Sequence, residues 1–396
     1  MRTEFFGCVP GRDRRRCAVM SIADPLDPPP RLLCGPGPSD VEPAVLAAMR
    51  RPMLGHLDPA FHAVLDEVIV LLRAVWRMPD GDVMALPATG TSAMEAGLAN
   101  LLEPGDTAIV AEAGYFGRRI ADIAERHGAR VVRVTAPWGE TVPNDALLDA
   151  LDRHPAARLV AVVHAETSTG AQHPLRELGT ALLGTDALLL ADCVTSLGGI
   201  PLDADAWGID YAFSCTQKCL AAPPGMAPVA ISPHAWARIR ARRAPVPFSL
   251  DLELLRRYWI ERPAVYHHTA PILAVYALHE ALRRILAEGL EARWARHAAA
   301  GAHLQAALGD RGLELVADPV RQLAPLTAVR VPDGVDGKAV QGQLLAAYGI
   351  EIGGGLGPDA PPMWRIGLMG PNATTHTADR VLGALDAVLE REPVLA

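Results

Sequence analysis

Between about residues 80 and 235, short apolar runs alternate with helix-like stretches. "DVMALPA" precedes "TSAMEAGLANLL", "TAIVAEA" precedes "FGRRIADIAERHG", "ARVVRVTA" precedes "NDALLDALDRH", and "ARLVAVVHAE" precedes "LRELGTALLG". "ALLLADCVT", "YAFSCTQK" and "MAPVAIS" complete the series. Strands that are apolar throughout are buried on both faces, and the intervening helices supply the cover. The pattern predicts an α/β fold around a mostly parallel sheet. Residues 252–308 are dominated by helix formers and arginines. Strand-like "LTAVRVP" and "WRIGLMG", with helix-like "GKAVQGQLLAAYG" and "TADRVLGALDAVLERE", then predict a smaller C-terminal α+β domain. The expected division is a tail over 1–31, a large domain over 32–285 and a small domain over 286–396. The tail contains basic "GRDRRRCAVM" without the apolar stretch of a secretory signal. Met20 offers an alternative start, and "DPLDPPPR" reads as an extended lead into the fold.

With 396 residues, 50% hydrophobic and 21% charged, the chain suits a globular protein with a large core. A net charge of −8 argues against a general nucleic-acid or membrane surface. No apolar run reaches the ~18 residues of a membrane span. The six cysteines are scattered, with no zinc-type spacing, so no metal is indicated. They suit a reducing compartment, and the expectation is a cytoplasmic protein.

Ligands of open α/β sheets bind at the carboxyl ends of the strands. The residues just after each apolar run therefore matter most. Lys218, in "FSCTQKCLAA", is one of only two lysines, against 35 arginines; the other is Lys338. An amine can be deprotonated and attack a carbonyl, whereas guanidinium cannot. Lys218 reads either as a Schiff-base lysine or as a surface lysine on a turn. Thr89, Gly90 and Thr91 stand where a strand gives way to a helix. They form an anion site or a plain capped turn. The segment lacks both the GxGxxG fingerprint and the GK[ST] of a P-loop. Asp192 ends "ALLLAD". It is a turn or cap carboxylate, or a partner for a protonated heterocyclic nitrogen. In "HAETSTG", which holds Glu166, the Thr167 and Thr169 hydroxyls cap a turn or bond a ligand, and His164 reads as an interior histidine. An amine, a carboxylate and a phosphate cradle together are the parts that hold pyridoxal 5′-phosphate (PLP).

The chain resembles the class V aminotransferases of PLP fold type I, and among them the alanine–glyoxylate and serine–pyruvate aminotransferases. The resemblance runs from about residue 32 to the C-terminus. It is carried by "GPGPS" at 35–39, "GTSAMEA" at 90–96, "ETSTG" at 166–170, "ADCVTSLGG" at 191–199, "SCTQKCLAAPPG" at 214–225, "YHHT" at 266–269 and "WRIGLMGPNAT" at 364–374. It implies a seven-stranded, mostly parallel sheet. It further implies that Lys218 forms the Schiff base and carries the proton, and that Asp192 pairs with the pyridine nitrogen. Val194 would pack beneath the ring and Phe116 above it, where relatives often have Trp. Thr167 would approach the ring hydroxyl. Thr89, Gly90, Thr91 and Gln217 would hold the phosphate. Tyr266 and Thr269 would complete that phosphate site in the neighbouring subunit of a two-fold homodimer, with the segment near residues 30–56 crossing over. Arg365, with Gly37, would bind the substrate carboxylate. The implied reaction is ping-pong transamination between a small L-amino acid (alanine or serine) and a small 2-oxo acid (glyoxylate or pyruvate). The alternative is a specialised enzyme of the same fold: a transaminase of an unusual amine, or a lyase or desulfurase. A desulfurase needs a mobile catalytic cysteine, and Cys215 and Cys219 flank Lys218 in a poor place for that.

Overall fold

The computed structural model describes residues 26–390. The expectations for residues 1–25, including the basic segment and Met20, lie outside the described residues. From Leu32 onward the chain forms one compact unit. Its centre is a seven-stranded sheet of β1 (Asp82–Leu86), β2 (Thr107–Glu112), β3 (Arg130–Thr135), β4 (Ala157–Val163), β5 (Leu188–Asp192), β6 (Tyr211–Phe213) and β7 (Ala227–Ile231). Their spatial order is β1-β7-β6-β5-β4-β2-β3. All pairings are parallel except those of β7, which is antiparallel to both β1 and β6. Six strands therefore point the same way, and their carboxyl ends share one edge.

The sequence explains the burial. Every residue of β5, β6 and β7 is buried, and these strands are uniformly apolar apart from the terminal Asp192. Edge strand β3 instead carries Arg130 and Arg133 and is only partly covered. Around the sheet pack α1 (Pro59–Trp76), α2 (Gly90–Leu101), α3 (Tyr115–Arg126), α4 (Asn144–Arg153), α5 (Leu175–Leu182) and α6 (Ile272–Glu288). In α1, Phe61, Leu65, Val68, Leu72, Val75 and Trp76 recur at helical spacing and form the buried stripe. Among the described residues no helix is long and apolar enough to cross a membrane.

A second hydrophobic core gathers Leu304 and Leu308 of α7 (Leu290–Asp310), Val340 and Leu344 of α8 (Gly337–Tyr348), and Val381 and Leu385 of α9 (Thr375–Leu389). These helices pack on β8 (Leu326–Arg330) and β9 (Met363–Gly367), which pair antiparallel. The expected domain boundary at 285/286 falls in the last turns of α6. Cys34 also belongs to this second core. Leu32–Leu33 pairs in parallel with Ile350–Glu351, and Gly367 N–H donates to the Cys34 carbonyl at 2.7 Å. That docking carries the following "GPGPS" segment to the edge of the main sheet where the strand ends converge.

Candidate active site

At the carboxyl edge of the sheet lies a cavity of about 200 Å³. Thr89, Gly90 and Thr91 reach it from the β1–α2 junction, and Phe116 from the start of α3. Thr167 enters from the turn after β4, Asp192 and Val194 from the end of β5, and Gln217 and Lys218 from the turn after β6. Nine residues expected from the sequence thus converge on one space. Met94, Phe213 and Cys215 also line it.

Lys218 follows the short strand β6, where the chain turns back toward Ala222 through Ala222 N–H to Thr216 O at 2.9 Å. Its ammonium donates to the Pro36 carbonyl. Its own carbonyl accepts from Ser39 Oγ at 2.8 Å, and Ser39 N–H donates to Gln217 O at 2.8 Å. The "GPGPS" segment is thus strapped across the lysine. A Cβ on Gly37 would sit 2.5 Å from Lys218 Cδ and Nζ, and Gly37 has φ +108°. Glycine is required there both for the backbone and for the lysine. Burial pulls the Lys218 amine below the ordinary lysine range, Cys215 opposes that shift, and the Arg365 cation adds to it.

Asp192 closes β5 at 3% exposure. Its Oδ1 accepts from Val194 N–H at 2.9 Å. None of the ion pairs among the described residues involves it. Burial pushes its carboxyl up to about 7, against the Val194 amide, which lowers it; Glu166 raises it further. A buried carboxylate without a cationic partner is costly unless a ligand brings the cation.

The N-terminus of α2 forms part of the cavity wall. Thr89 caps it, its Oγ1 accepting from Ser92 N–H at 3.2 Å. Such a terminus presents unpaired amides and a positive dipole end to an anion. A Cβ on Gly90 would meet Val194 Cγ2 at 3.1 Å and Cys215 Cβ at 3.4 Å, so a side chain here would press on the cavity wall. Gln217 Oε1 is buried without a hydrogen-bond partner, an orphan that a polar ligand group would satisfy. A cavity with an amine at one end, an uncompensated carboxylate behind and a helix terminus beside it fits PLP.

Arg365, on β9, is buried. Its Nε donates to the Gly354 carbonyl at 2.6 Å and its Nη1 to the Thr167 carbonyl at 3.2 Å. Desolvation lowers its guanidinium to about 10. Among the described residues no carboxylate lies within ion-pair distance of it. A guanidinium fixed by two carbonyls and lacking an anion is prepared for a carboxylate.

Of the other four expected residues, Arg365 and Gly37 lie behind the lining, against Thr167 and Lys218, and two are not brought in at all. Tyr266 and Thr269 do not line the cavity and are exposed on their own chain. Sequence reasoning also passed over Arg119. Its guanidinium stacks over Phe116 at 5.2 Å and Tyr115 at 4.8 Å, and Nη1 donates to Thr91 Oγ1 at 3.2 Å. Its only signal was the i, i+3 spacing from Phe116 on a helix, too weak to single out one arginine among 35. Cys215 and Cys219 are buried, and desolvation pushes both thiols up to about 12. Neither is a thiolate nucleophile at neutral pH.

Residues 79–371 match the family model described as aminotransferase class-V. The chain belongs to the class V aminotransferases. It is 39% identical to alanine–glyoxylate aminotransferase of Rattus norvegicus over 377 residues, 94% of this chain and 91% of the relative. Among solved structures, it resembles alanine–glyoxylate aminotransferase from Nostoc sp. with TM-score 0.90 and 48% identity, covering 92% of this chain and 97% of that one. Ureidoglycine–glyoxylate aminotransferase from Bacillus subtilis gives TM-score 0.89 and 38% identity, covering 92% and 94%. This class V chain is therefore a transaminase, and its mostly parallel seven-stranded sheet is the one the sequence led us to expect.

Proposed function

We propose that the chain is a PLP-dependent transaminase that moves the amino group of a small L-amino acid, alanine or serine, to a small 2-oxo acid such as glyoxylate or pyruvate, by a ping-pong mechanism. The observation that carries the reading is the pairing, across one cavity, of a depressed amine on Lys218 with an uncompensated carboxylate on Asp192. When bound, PLP supplies a carbonyl for amine exchange and an electron-withdrawing ring. Asp192 provides the negative charge that keeps a ring nitrogen protonated. Phe116 and Val194, both on the cavity wall, are available to sandwich a flat ring. Gly90, Thr91 and Gln217 hold the phosphate. Arg365 takes the substrate carboxylate and so orients the α-carbon. Lys218, as a neutral amine, would serve as the base for the substrate α-proton and, once protonated, as the acid that gives it back. Arg365, bonded to the Thr167 carbonyl of the cavity wall, is a single buried guanidinium prepared for one carboxylate, which favours monocarboxylic partners. The names of the Rattus norvegicus and Nostoc relatives support alanine and glyoxylate as the pair.

The test is a half-reaction. The PLP-loaded protein mixed with L-alanine or L-serine, without acceptor, converts to the pyridoxamine form and releases pyruvate or hydroxypyruvate. Glyoxylate then restores the starting spectrum. Conversion by neither amino acid, with conversion by a ureido amine, would transfer the reading to a specialised donor.

The assembly proposed is a two-fold homodimer in which Tyr266 and Thr269 complete the partner's phosphate site. Supporting this, Tyr266 (57%), Met53 (71%) and Val70 (66%) are unusually exposed for their type. Residues 32–39 are held on their own chain by β-pairing and by the Ser39 bonds. The crossing contribution therefore falls to the stretch beyond Ser39, which includes exposed Leu46 and Leu57. Light scattering is expected to give twice the chain mass, and a fully active monomer would remove the proposal.

A further inference from the structure

The sequence points to Glu166 only as the neighbour of Thr167 and Thr169, and its surroundings are unlike those of a turn carboxylate. It is buried, at the end of the short extension of β4. Four donors converge on it. Oε2 accepts from Phe116 N–H at 3.1 Å and Gly117 N–H at 3.3 Å. Oε1 accepts from Ser168 N–H at 3.0 Å and Ser168 Oγ at 2.6 Å. Ser168 Oγ in turn accepts from Tyr115 N–H at 2.9 Å. One carboxylate, with one hydroxyl, thus engages three successive amides of the first turn of α3, where the positive end of the helix dipole lies.

The approach is tight. A Cβ on Gly114 would meet Ser168 Oγ at 2.5 Å and Glu166 Cγ at 2.6 Å, so the chain before α3 is glycine where it comes down onto this pair. None of the ion pairs among the described residues includes Glu166. Its charge is spread over amides instead, which is a strong form of carboxylate hydrogen bonding. All four partners donate, so the ionised form is the one this geometry satisfies. Burial pushes its carboxyl above the ordinary range, and the four hydrogen bonds pull it back.

The groups tied together are the ones that meet the ligand. Phe116 begins α3, and Thr167 lies between Glu166 and Ser168; both line the cavity. The Thr167 carbonyl accepts from Arg365 Nη1 at 3.2 Å. We propose that Glu166 is a positioning residue of this site: its buried carboxylate, accepting from α3 and from the Thr167 turn at once, sets the spacing between Phe116, Thr167 and Arg365. This rests on the PLP transaminase reading. Glu166 touches neither ligand, and it acts through the three groups that do.

Glu166→Gln tests it. The amide keeps the size but offers one acceptor oxygen and turns an NH₂ toward amides that only donate. In the PLP-loaded protein, the dissociation constant for PLP is expected to rise about 10-fold, and kcat/KM for the amino donor to fall about 10²-fold, the scale of a misplacement of about 1 Å. Hydrogen exchange at the Phe116, Gly117 and Ser168 amides should accelerate at least about 10-fold while the amides of β5 and β6 stay protected. Glu166→Asp, which keeps the charge, should recover part of both effects. Wild-type PLP affinity with unchanged exchange at those amides overturns the proposal. So does faster exchange spread evenly over the sheet with unchanged kcat/KM, which would make Glu166 merely structural. Should Glu166→Gln fail to fold, Ser168→Ala removes one donor and the Tyr115 link while leaving the charge. It should shift the same readouts about 3-fold, and no shift overturns the proposal. Failure of the wild-type chain to bind PLP would sink the functional reading instead; the exchange measurement needs no cofactor and still reads Glu166.

Discussion

Replacing Lys218 by alanine is expected to lower transamination by about 10⁴-fold or more, and replacement by arginine to do no better. Both variants lose an amine that can be neutral. Arginine keeps the cation, but guanidinium stays protonated, and its fork is larger. The space around the lysine is already committed: Nζ meets the Pro36 carbonyl, and Gly37 leaves no room for even a Cβ. The same setting makes the amine reactive, because burial and the Arg365 cation disfavour its charged form. Borohydride treatment of the PLP-loaded wild type, followed by peptide mapping, should place a covalent label on Lys218. The two variants should bind PLP without covalent attachment. A label on Lys338, or transamination within about tenfold of wild type in Lys218→Ala, would remove Lys218 from its role.

The parts of this site that were legible in the sequence are those whose residue type is chemically hard to replace. Lys218 stood out because a chain that supplies its other cations almost wholly as arginine keeps an amine in a small-residue run. Asp192 stood out because a carboxylate ends an otherwise apolar run, and that run proved to be the fully buried β5. The parallel sheet was legible because buried strands show no alternation. Strand order was not, since nothing local in "MAPVAIS" encodes the insertion of β7, antiparallel, between β1 and β6. Arg365 was selected by resemblance alone, because its distinction lies in two backbone carbonyls from distant segments and in the lack of a carboxylate neighbour. Glu166 was visible in its motif but was given no role. The donors that define it belong partly to residues 116 and 117, about fifty positions earlier, and only the fold brings them together.

The second large effect concerns Asp192, where activity and stability are expected to move in opposite directions. Asp192→Asn keeps the shape and loses the charge, so transamination should fall by about 10³-fold, the scale of removing a preorganised electrostatic contact. The cofactor-free protein should gain. The wild-type carboxyl rises from 3.8 to about 7 on folding. Holding it ionised in the folded state therefore costs on the order of 4 kcal/mol. The sign follows from proton counting. Between those two values the folded chain binds more protons than the unfolded chain, so wild-type stability falls as pH rises from about 4 to about 7, and stays low above that. A side-chain amide at this position does not titrate, so the variant lacks this loss. Melting temperatures of the two cofactor-free proteins should separate with rising pH, with Asp192→Asn the higher by several degrees at pH 8. PLP should reverse the order, because its ring cation compensates only a carboxylate, and ligand binding stabilises the folded state in proportion to affinity. Equal melting curves for the cofactor-free pair from pH 5 to 8, or near-normal turnover in the variant, would show that Asp192 is not the uncompensated charge on which the site is built.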